Sequence, residues 1–118
     1  MTLFVVPSRI VSDTVVIDMP PKFWLLSIPL CQSVVSLLDD GHRYFVLNLS
    51  AVDFVDNLGI GQLITVWTTV KDKGGRVSLL KPSRRVCIAM QLTQLFTLFE
   101  VFEDEAAAIG NAKPRVAD

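Results

Sequence analysis

The chain has 118 residues, of which 51% are hydrophobic and 19% charged, so one folded domain is expected and a disordered chain is excluded. The formal net charge of −1 argues against a nucleic-acid surface built on positive charge. The longest apolar stretch, Phe23–Leu30, is too short to span a bilayer and is broken by Pro29. We therefore predict a cytoplasmic protein with no direct membrane insertion.

The N-terminal segment predicts two strands, Leu3–Val6 and Ile10–Met19, with a turn or an irregular interruption at Ser12-Asp13-Thr14. We expect Leu3–Val6 to pair with Thr14–Asp18 as a hairpin at one side of a sheet. Pro20 and Pro21 should end the second strand, because proline has no N–H group to donate to a ladder.

Four apolar residues in succession, from Phe23 to Leu26, follow these prolines. They cannot all face one core from a single helix or strand, so part of this segment is predicted to be exposed. Phe23 and Trp24 could form a partner-binding patch, since large aromatic residues dominate binding hot spots. The alternative, in which Phe23 and Trp24 close one end of the core, is equally open.

A first amphipathic helix is predicted from Ile28 to Asp40, because apolar residues recur there at intervals of three and four. Gly41 should follow its end. The next segment, Tyr44–Leu49, is nearly all apolar or β-prone, which is typical of a strand buried on both faces of a mostly parallel sheet.

The segment after this strand has the features of a helix start. Asp56 stands where a helix N-cap would accept the unpaired N–H groups of the first turn. Gly59 and Gly61 follow, where a missing side chain would let another backbone or a ligand come close. The helix is predicted to end at Lys73-Gly74-Gly75. A strand that leads into an exposed helix N-terminus is where α/β proteins place chemistry or recognition.

The C-terminal part predicts a buried strand at Arg76–Leu80 and a third helix capped by Ser83. A short last strand is expected within Leu95–Phe102. A fourth helix should then begin at the acidic residues 103–105 and stop at Gly110, because acidic residues suit the positive end of a helix dipole. Residues 111–118 are predicted to be a flexible tail.

Several of these segments together resemble a known family. They are the runs from Asn48 to Gly61, from Lys73 to Ser83 and from Leu92 to Phe96, which are similar in order and spacing to the STAS domain of bacterial anti-sigma factor antagonists. The resemblance covers Arg43–Ile109 well and the N-terminal third poorly. It implies one STAS-like α/β domain over residues 1–110, with a mixed sheet of four or five strands and about four helices.

The sequence departs from the family's pattern at three places. The residue after the helix-start Asp is usually the Ser or Thr that a partner kinase phosphorylates, but here it is Asn57, followed by Leu58. Asn57 has no hydroxyl group, so the usual phosphoswitch cannot operate there. The acidic Gly-x-Leu/Ile-Asp signature that follows strand two in the family is replaced by Pro20–Leu26, and Gln94 stands in place of a glycine.

The resemblance implies a non-enzymatic interaction domain that binds an anti-sigma factor of the serine-kinase type, or another signalling protein, in the regulation of transcription. The predicted partner-binding residues are Asp56, Asn57, Leu58, Gly59 and Ile60, together with Phe23 and Trp24. Alternative functions are a scaffold in a stress-signalling assembly and a STAS subunit of a membrane-lipid transporter. Homodimerisation is left open.

Function as an enzyme or as a nucleotide-binding protein is the least favoured interpretation of the sequence. Gly59-x-Gly61 is only part of a phosphate-binding fingerprint, and Asp53 and Asp56 have no histidine partner nearby in sequence. His42 is the only histidine and is predicted to be a solvated turn residue. Cys31 and Cys87 lack metal-ligand spacing and are predicted to be buried free thiols. No cofactor, metal or catalytic residue is predicted.

Overall fold

The structure is a computed structural model and describes residues 8–19, 22–23, 30–55, 57–92 and 97–112. The strands are β1 (Ser8–Val11), β2 (Thr14–Asp18), β3 (Lys22–Phe23), β4 (Tyr44–Asn48), β5 (Phe54–Val55), β6 (Arg76–Leu80) and β7 (Glu100–Phe102). The helices are α1 (Leu30–Asp39), α2 (Asn57–Asp72), α3 (Arg84–Leu92) and α4 (Glu105–Ala112). This confirms the predicted α/β class with four helices.

Five of the strands form one mixed sheet in the order β1-β2-β4-β6-β7. β1 is antiparallel to β2, and the other neighbours run parallel. β3 and β5 form a separate parallel pair. The predicted mixed sheet of four or five strands is therefore confirmed, with a second, very short sheet that the sequence did not indicate.

Both faces of the sheet are covered, because the connections between parallel strands are helices. Phe45 and Leu47 of β4 lie in a core shared with α1, α2 and α3, whereas Val46 packs in a smaller cluster with Ala108 of α4. The side chains of β4 alternate between these two cores, as the pleat requires. The prediction that this central strand is buried on both faces is confirmed.

The N-terminal hairpin differs from the prediction. Thr14–Asp18 is paired on one side with Ser8–Val11 and on the other with Tyr44–Asn48. The expected pairing of this strand with Leu3–Val6 is therefore wrong, and Leu3–Val6 itself lies outside the described residues. The hairpin turns at Ser12 and Asp13, whose φ angles are 48° and 71°. Two left-handed residues match the twist of a two-residue hairpin, so the predicted interruption is the turn itself.

α2 ends in a tight junction with β6. Gly74 has a φ of 78°, which suits glycine at a helix C-terminus. A Cβ atom at Gly75 would lie 2.1 Å from the carbonyl oxygen of Arg43 and 2.7 Å from Cγ1 of Val70. The next N–H group, of Arg76, donates to the same Arg43 oxygen at 2.9 Å. The close backbone approach is thus at Gly75. A close approach was also predicted at Gly61, but among the described residues no atom beyond its chain neighbours and the backbone of its own helix comes within 4 Å of the Cβ position there.

The predicted start of α3 is confirmed, because the N–H group of Val86 donates to Oγ of Ser83 at 3.3 Å. β7 is the short last strand that was expected. α4 is capped by Asp104, whose Oδ2 accepts a hydrogen bond from the N–H group of Ala107 at 3.0 Å. α4 continues to Ala112, so the predicted stop at Gly110 is wrong. Gly110 does not have the positive φ angle that makes glycine a helix terminator.

Candidate functional site

The predicted helix start is where the structure begins α2. β5 ends at Val55 and α2 begins at Asn57, so the backbones of Asn57 and Leu58 occupy the first turn. Asp56, the predicted cap, lies outside the described residues. Gly59 is buried, and Ile60 is only 6% exposed within the main core. Ile60 therefore anchors the first turn of the helix to the core.

Backbone pairing brings the two predicted binding segments together. Lys22 lies opposite Phe54 and Phe23 lies opposite Val55 in the β3–β5 pair. Paired strands are about 4.8 Å apart, so Phe23 sits directly beside the residues that lead into α2. Trp24 lies outside the described residues. The sequence suggested each segment separately, but neither strand has the length that would have predicted their pairing.

The loop between β4 and β5 is tied to its surroundings at several points. The N–H group of Leu49 donates to Leu80 O at 2.9 Å, and the N–H group of Val52 donates to Leu49 O at 3.0 Å. Both Leu49 and Val52 are buried. Asp53 is exposed in this loop. Consequently the approach to α2 is held in place by backbone hydrogen bonds and by two core side chains.

A chain of polar side chains connects this loop to α4. Asn48 donates from Nδ2 to Oδ1 of Asp18 at 2.7 Å and accepts, through Oδ1, from the N–H group of Ser50 at 3.1 Å. Asp18 also pairs with Arg9, from Nε to Oδ2 at 3.1 Å, and Arg9 pairs in turn with Glu105. The first residue of α4 is thereby linked through β1 and β2 to the loop that precedes the site.

We expect Arg9→Met to lower the free energy of unfolding at pH 7 by about 1 kcal/mol, as for an exposed ion-pair network. The hydrogen bond from Arg9 lowers the pKa of Glu105. Burial acts to raise the pKa of Asp18, but hydrogen bonds from Arg9 and Asn48 outweigh it and leave that pKa below its ordinary value. Carboxyl groups with a lowered pKa in the folded state stabilise it above about pH 4, and this contribution is lost as the pH falls further.

Urea unfolding of wild type and Arg9→Met between pH 7 and pH 3 measures this effect. The difference in free energy of unfolding between wild type and Arg9→Met should shrink as the pH falls below about 4. Lys73→Met, which removes an exposed cation elsewhere, should leave the pH dependence unchanged. A difference between wild type and Arg9→Met that stays constant down to pH 3 would show that the carboxylates are not involved.

The outward face of α2 beyond its first turn carries no charge for two turns. Gly61, Ile64, Thr65 and Thr68 are exposed, and Ile64 is 40% accessible. The hydroxyl groups of Thr65, Thr68 and Thr69 each donate to the carbonyl oxygen four residues earlier, at 2.9, 3.0 and 2.7 Å. These hydroxyls are therefore engaged with their own helix.

Three cations lie near the same end of the sheet. Lys81, Arg84 and Arg85 are exposed around the start of α3, and α3 contacts β5. Two arginines in a first helical turn face the positive end of the helix dipole, which is an unfavourable placement in the isolated domain. An acidic partner surface would relieve it.

The remaining sequence candidates lie elsewhere. His42 is half-buried, and its backbone N–H group donates a hydrogen bond to the carbonyl oxygen of Leu37 at 3.0 Å. Cys31 and Cys87 are free and half-buried, so the predicted free thiols are confirmed but are less buried than expected. Burial raises the pKa of the Cys87 thiol, which reduces its reactivity. None of the helices that the structure describes is long and apolar enough to cross a membrane.

Known proteins share this sequence and fold. The family model for the STAS domain matches residues 27–108. A Thermotoga neapolitana homologue of the protein TM1081, provisionally named an anti-sigma factor antagonist, is 23% identical over 111 residues and covers 92% of this chain and 98% of its own length. The NMR structure of TM1081 superposes with a TM-score of 0.87 at 20% identity, covering 98% of this chain and 94% of that chain.

The Bacillus cell fate determinant SpoIIAA, solved in its phosphorylated form, superposes with a TM-score of 0.73 at 20% identity, covering 92% of this chain and 100% of SpoIIAA. At such identities, the structural likeness shows that the fold is shared. The family match carries the assignment further, because it spans more than half of the sequence and includes the β4–α2 segment described above. The chain belongs to the STAS domain family.

Proposed function

We propose that this protein is a non-enzymatic interaction domain of the anti-sigma factor antagonist type, which binds a kinase-type anti-sigma factor in the cytoplasm. The observation that carries the proposal is the pairing of β3 with β5, which sets Phe23 beside the segment leading to Asn57. This pairing of the backbones supports a single partner surface that draws on both sequence segments. The names of the STAS relatives support the choice of partner class.

We assign partner recognition to the predicted residues Asp56, Asn57 and Leu58, together with Phe23 and Trp24. The buried Gly59 and Ile60 hold this turn against the core and do not themselves reach the partner. The cations around the start of α3 extend the surface on one side, and they favour a partner that presents carboxylates.

This domain differs from the anti-sigma factor antagonists that it resembles in how its binding can be regulated. A phosphoryl group on Ser or Thr would bring a charge of about −1.5 to −2 to the start of α2 and would repel an acidic partner surface. Asn57 cannot accept a phosphoryl group. The domain is therefore constitutively competent to bind, and any control is exercised elsewhere, through its amount or through its partner.

The test is affinity capture from cell extract with the wild-type chain and with Asn57→Ser and Asn57→Asp variants, read by mass spectrometry, followed by titration of the identified partner. An anti-sigma kinase should be recovered by wild type and by Asn57→Ser. Asn57→Asp, which places a carboxylate at the phosphoacceptor position, should bind it at least about tenfold more weakly.

Asn111→Asp is the matched control, because it makes the same chemical change near the end of α4 and should bind like wild type. Recovery of the same non-kinase partner by wild type, Asn57→Ser and Asn57→Asp would instead favour a scaffold or a transporter subunit. Phosphate transfer by the kinase to any serine or threonine of the wild-type chain, accompanied by loss of kinase binding, would overturn constitutive binding.

A further inference from the structure

The outward sides of α1 and α2 form one surface without charged residues of their own. α1 packs beside α2. Neither residues 30–38 of α1 nor residues 57–70 of α2 include an acidic or basic side chain, although charged residues make up 19% of the chain. Surface helices usually carry charged residues on the side opposite the core. We call this surface the α1–α2 face; its exposed members include Gln32 and Val35 of α1 and Gly61, Ile64, Thr65 and Thr68 of α2.

The threonines of the α1–α2 face cost little to remove from water. The hydroxyl groups of Thr65 and Thr68 already donate to carbonyl oxygens of their own helix, at 2.9 and 3.0 Å. Each hydroxyl therefore keeps its hydrogen bond when water is excluded. The two large apolar residues of the face, Val35 and Ile64, are 39% and 40% exposed. Covering the face would thus bury apolar area without leaving a hydroxyl donor unpaired.

The lack of charge restricts what can cover the α1–α2 face. A partner with charged groups over this area would lose their hydration without gaining an opposite charge. A second copy of the chain supplies an uncharged surface of matching size. In a twofold dimer both copies contribute the same patch, so any charge near the axis would face its own copy. The start of α3 is less suitable for self-pairing, because it would bring Lys81, Arg84 and Arg85 close to their own copies.

We propose that the α1–α2 face is the interface of a homodimer, in which α2 of one copy packs against α2 of the second copy. Helix dimensions make the face about 20 Å long and about 20 Å wide. A contact of this size buries about 1,000 Å² in total, which is at the lower end for specific complexes. We therefore expect a weak dimer, with a Kd of about 100 μM.

Sedimentation velocity of the full chain between about 10 μM and about 1 mM measures this equilibrium. Wild type should change from monomer to dimer over this range. The Kd should be the same at about 0.05 M and about 0.5 M salt, because the contact contains no ion pair to be screened. In ¹⁵N NMR spectra, the amides of Val35, Ile64 and Thr68 should shift with protein concentration, whereas the amide of Ile88 should not.

Ile64→Lys should weaken the dimer at least about tenfold, because the twofold axis brings two copies of the new cation into one contact. Ile88→Lys is the matched control. It makes the same change at an apolar residue of α3 that is 48% exposed and lies outside the α1–α2 face, so it should dimerise like wild type.

An equimolar mixture of Ile64→Lys and Ile64→Glu should associate more strongly than either variant alone, because opposite charges then meet across the axis. This result would separate a lost interface from a lost fold. A wild-type monomer at about 1 mM, equal weakening by Ile64→Lys and Ile88→Lys, or concentration-dependent shifts confined to residues outside the α1–α2 face would each overturn the proposal. No other protein takes part, so this outcome is independent of the partner-binding tests.

Discussion

Gly75→Ala should lower the free energy of unfolding by about 3 kcal/mol, which is the upper range for overpacking a tight contact. The new Cβ would lie 2.1 Å from Arg43 O, a distance that no real Cβ contact shows. Neither neighbour can yield easily, since Arg43 O accepts a hydrogen bond from Arg76 and Val70 O accepts one from Gly75 itself, both at 2.9 Å. The midpoint of thermal unfolding should fall by about 10 °C, as measured by circular dichroism.

Gly61→Ala is the matched control, because it makes the same chemical change in open space within α2. Alanine is favoured over glycine in a helix interior by about 1 kcal/mol, so this variant should be more stable than wild type. If the two substitutions changed the stability by similar amounts, steric contact at Gly75 would not explain the loss.

Thr14→Val should raise the free energy of unfolding by about 2 kcal/mol. Thr14 is fully buried at the start of β2, and its hydroxyl group has no hydrogen-bond partner among the described residues. A buried hydroxyl without a partner costs about 1 to 3 kcal/mol in lost hydration, and valine has nearly the same shape without that cost. Valine also suits the strand conformation.

Urea unfolding of Thr14→Val beside Thr68→Val checks this expectation. Thr68 is exposed and its hydroxyl is bonded to Ile64 O, so its replacement should have little or no stabilising effect. A loss of stability in Thr14→Val would show that the hydroxyl has a partner in solution, such as a buried water molecule.

The helices and the central strands could be predicted from sequence because their signals are local. Ser83 caps α3 as expected, and Arg76–Leu80 forms a strand with the predicted boundaries. The errors arose where a local signal has two readings. The pattern of Ile10–Met19 predicts one strand with a turn or an irregular interruption at Ser12-Asp13-Thr14, and the structure shows two strands of a hairpin that turns at Ser12 and Asp13. Gly110 predicts a helix stop, but the local backbone stays helical and Gly110 lies inside α4.

The sequence by itself determined the α/β class, the position of the α2 start and the absence of a hydroxyl group at Asn57. Each of these follows from residue identity or from hydrophobic periodicity, which are properties of the sequence alone. Only the tertiary structure decided that Phe23 lies opposite Val55, that Gly75 meets Arg43, and that Arg9 pairs with both Asp18 and Glu105. Each of these depends on contacts between residues far apart in sequence. Such contacts are set by strand register and by helix packing, which no local signal encodes.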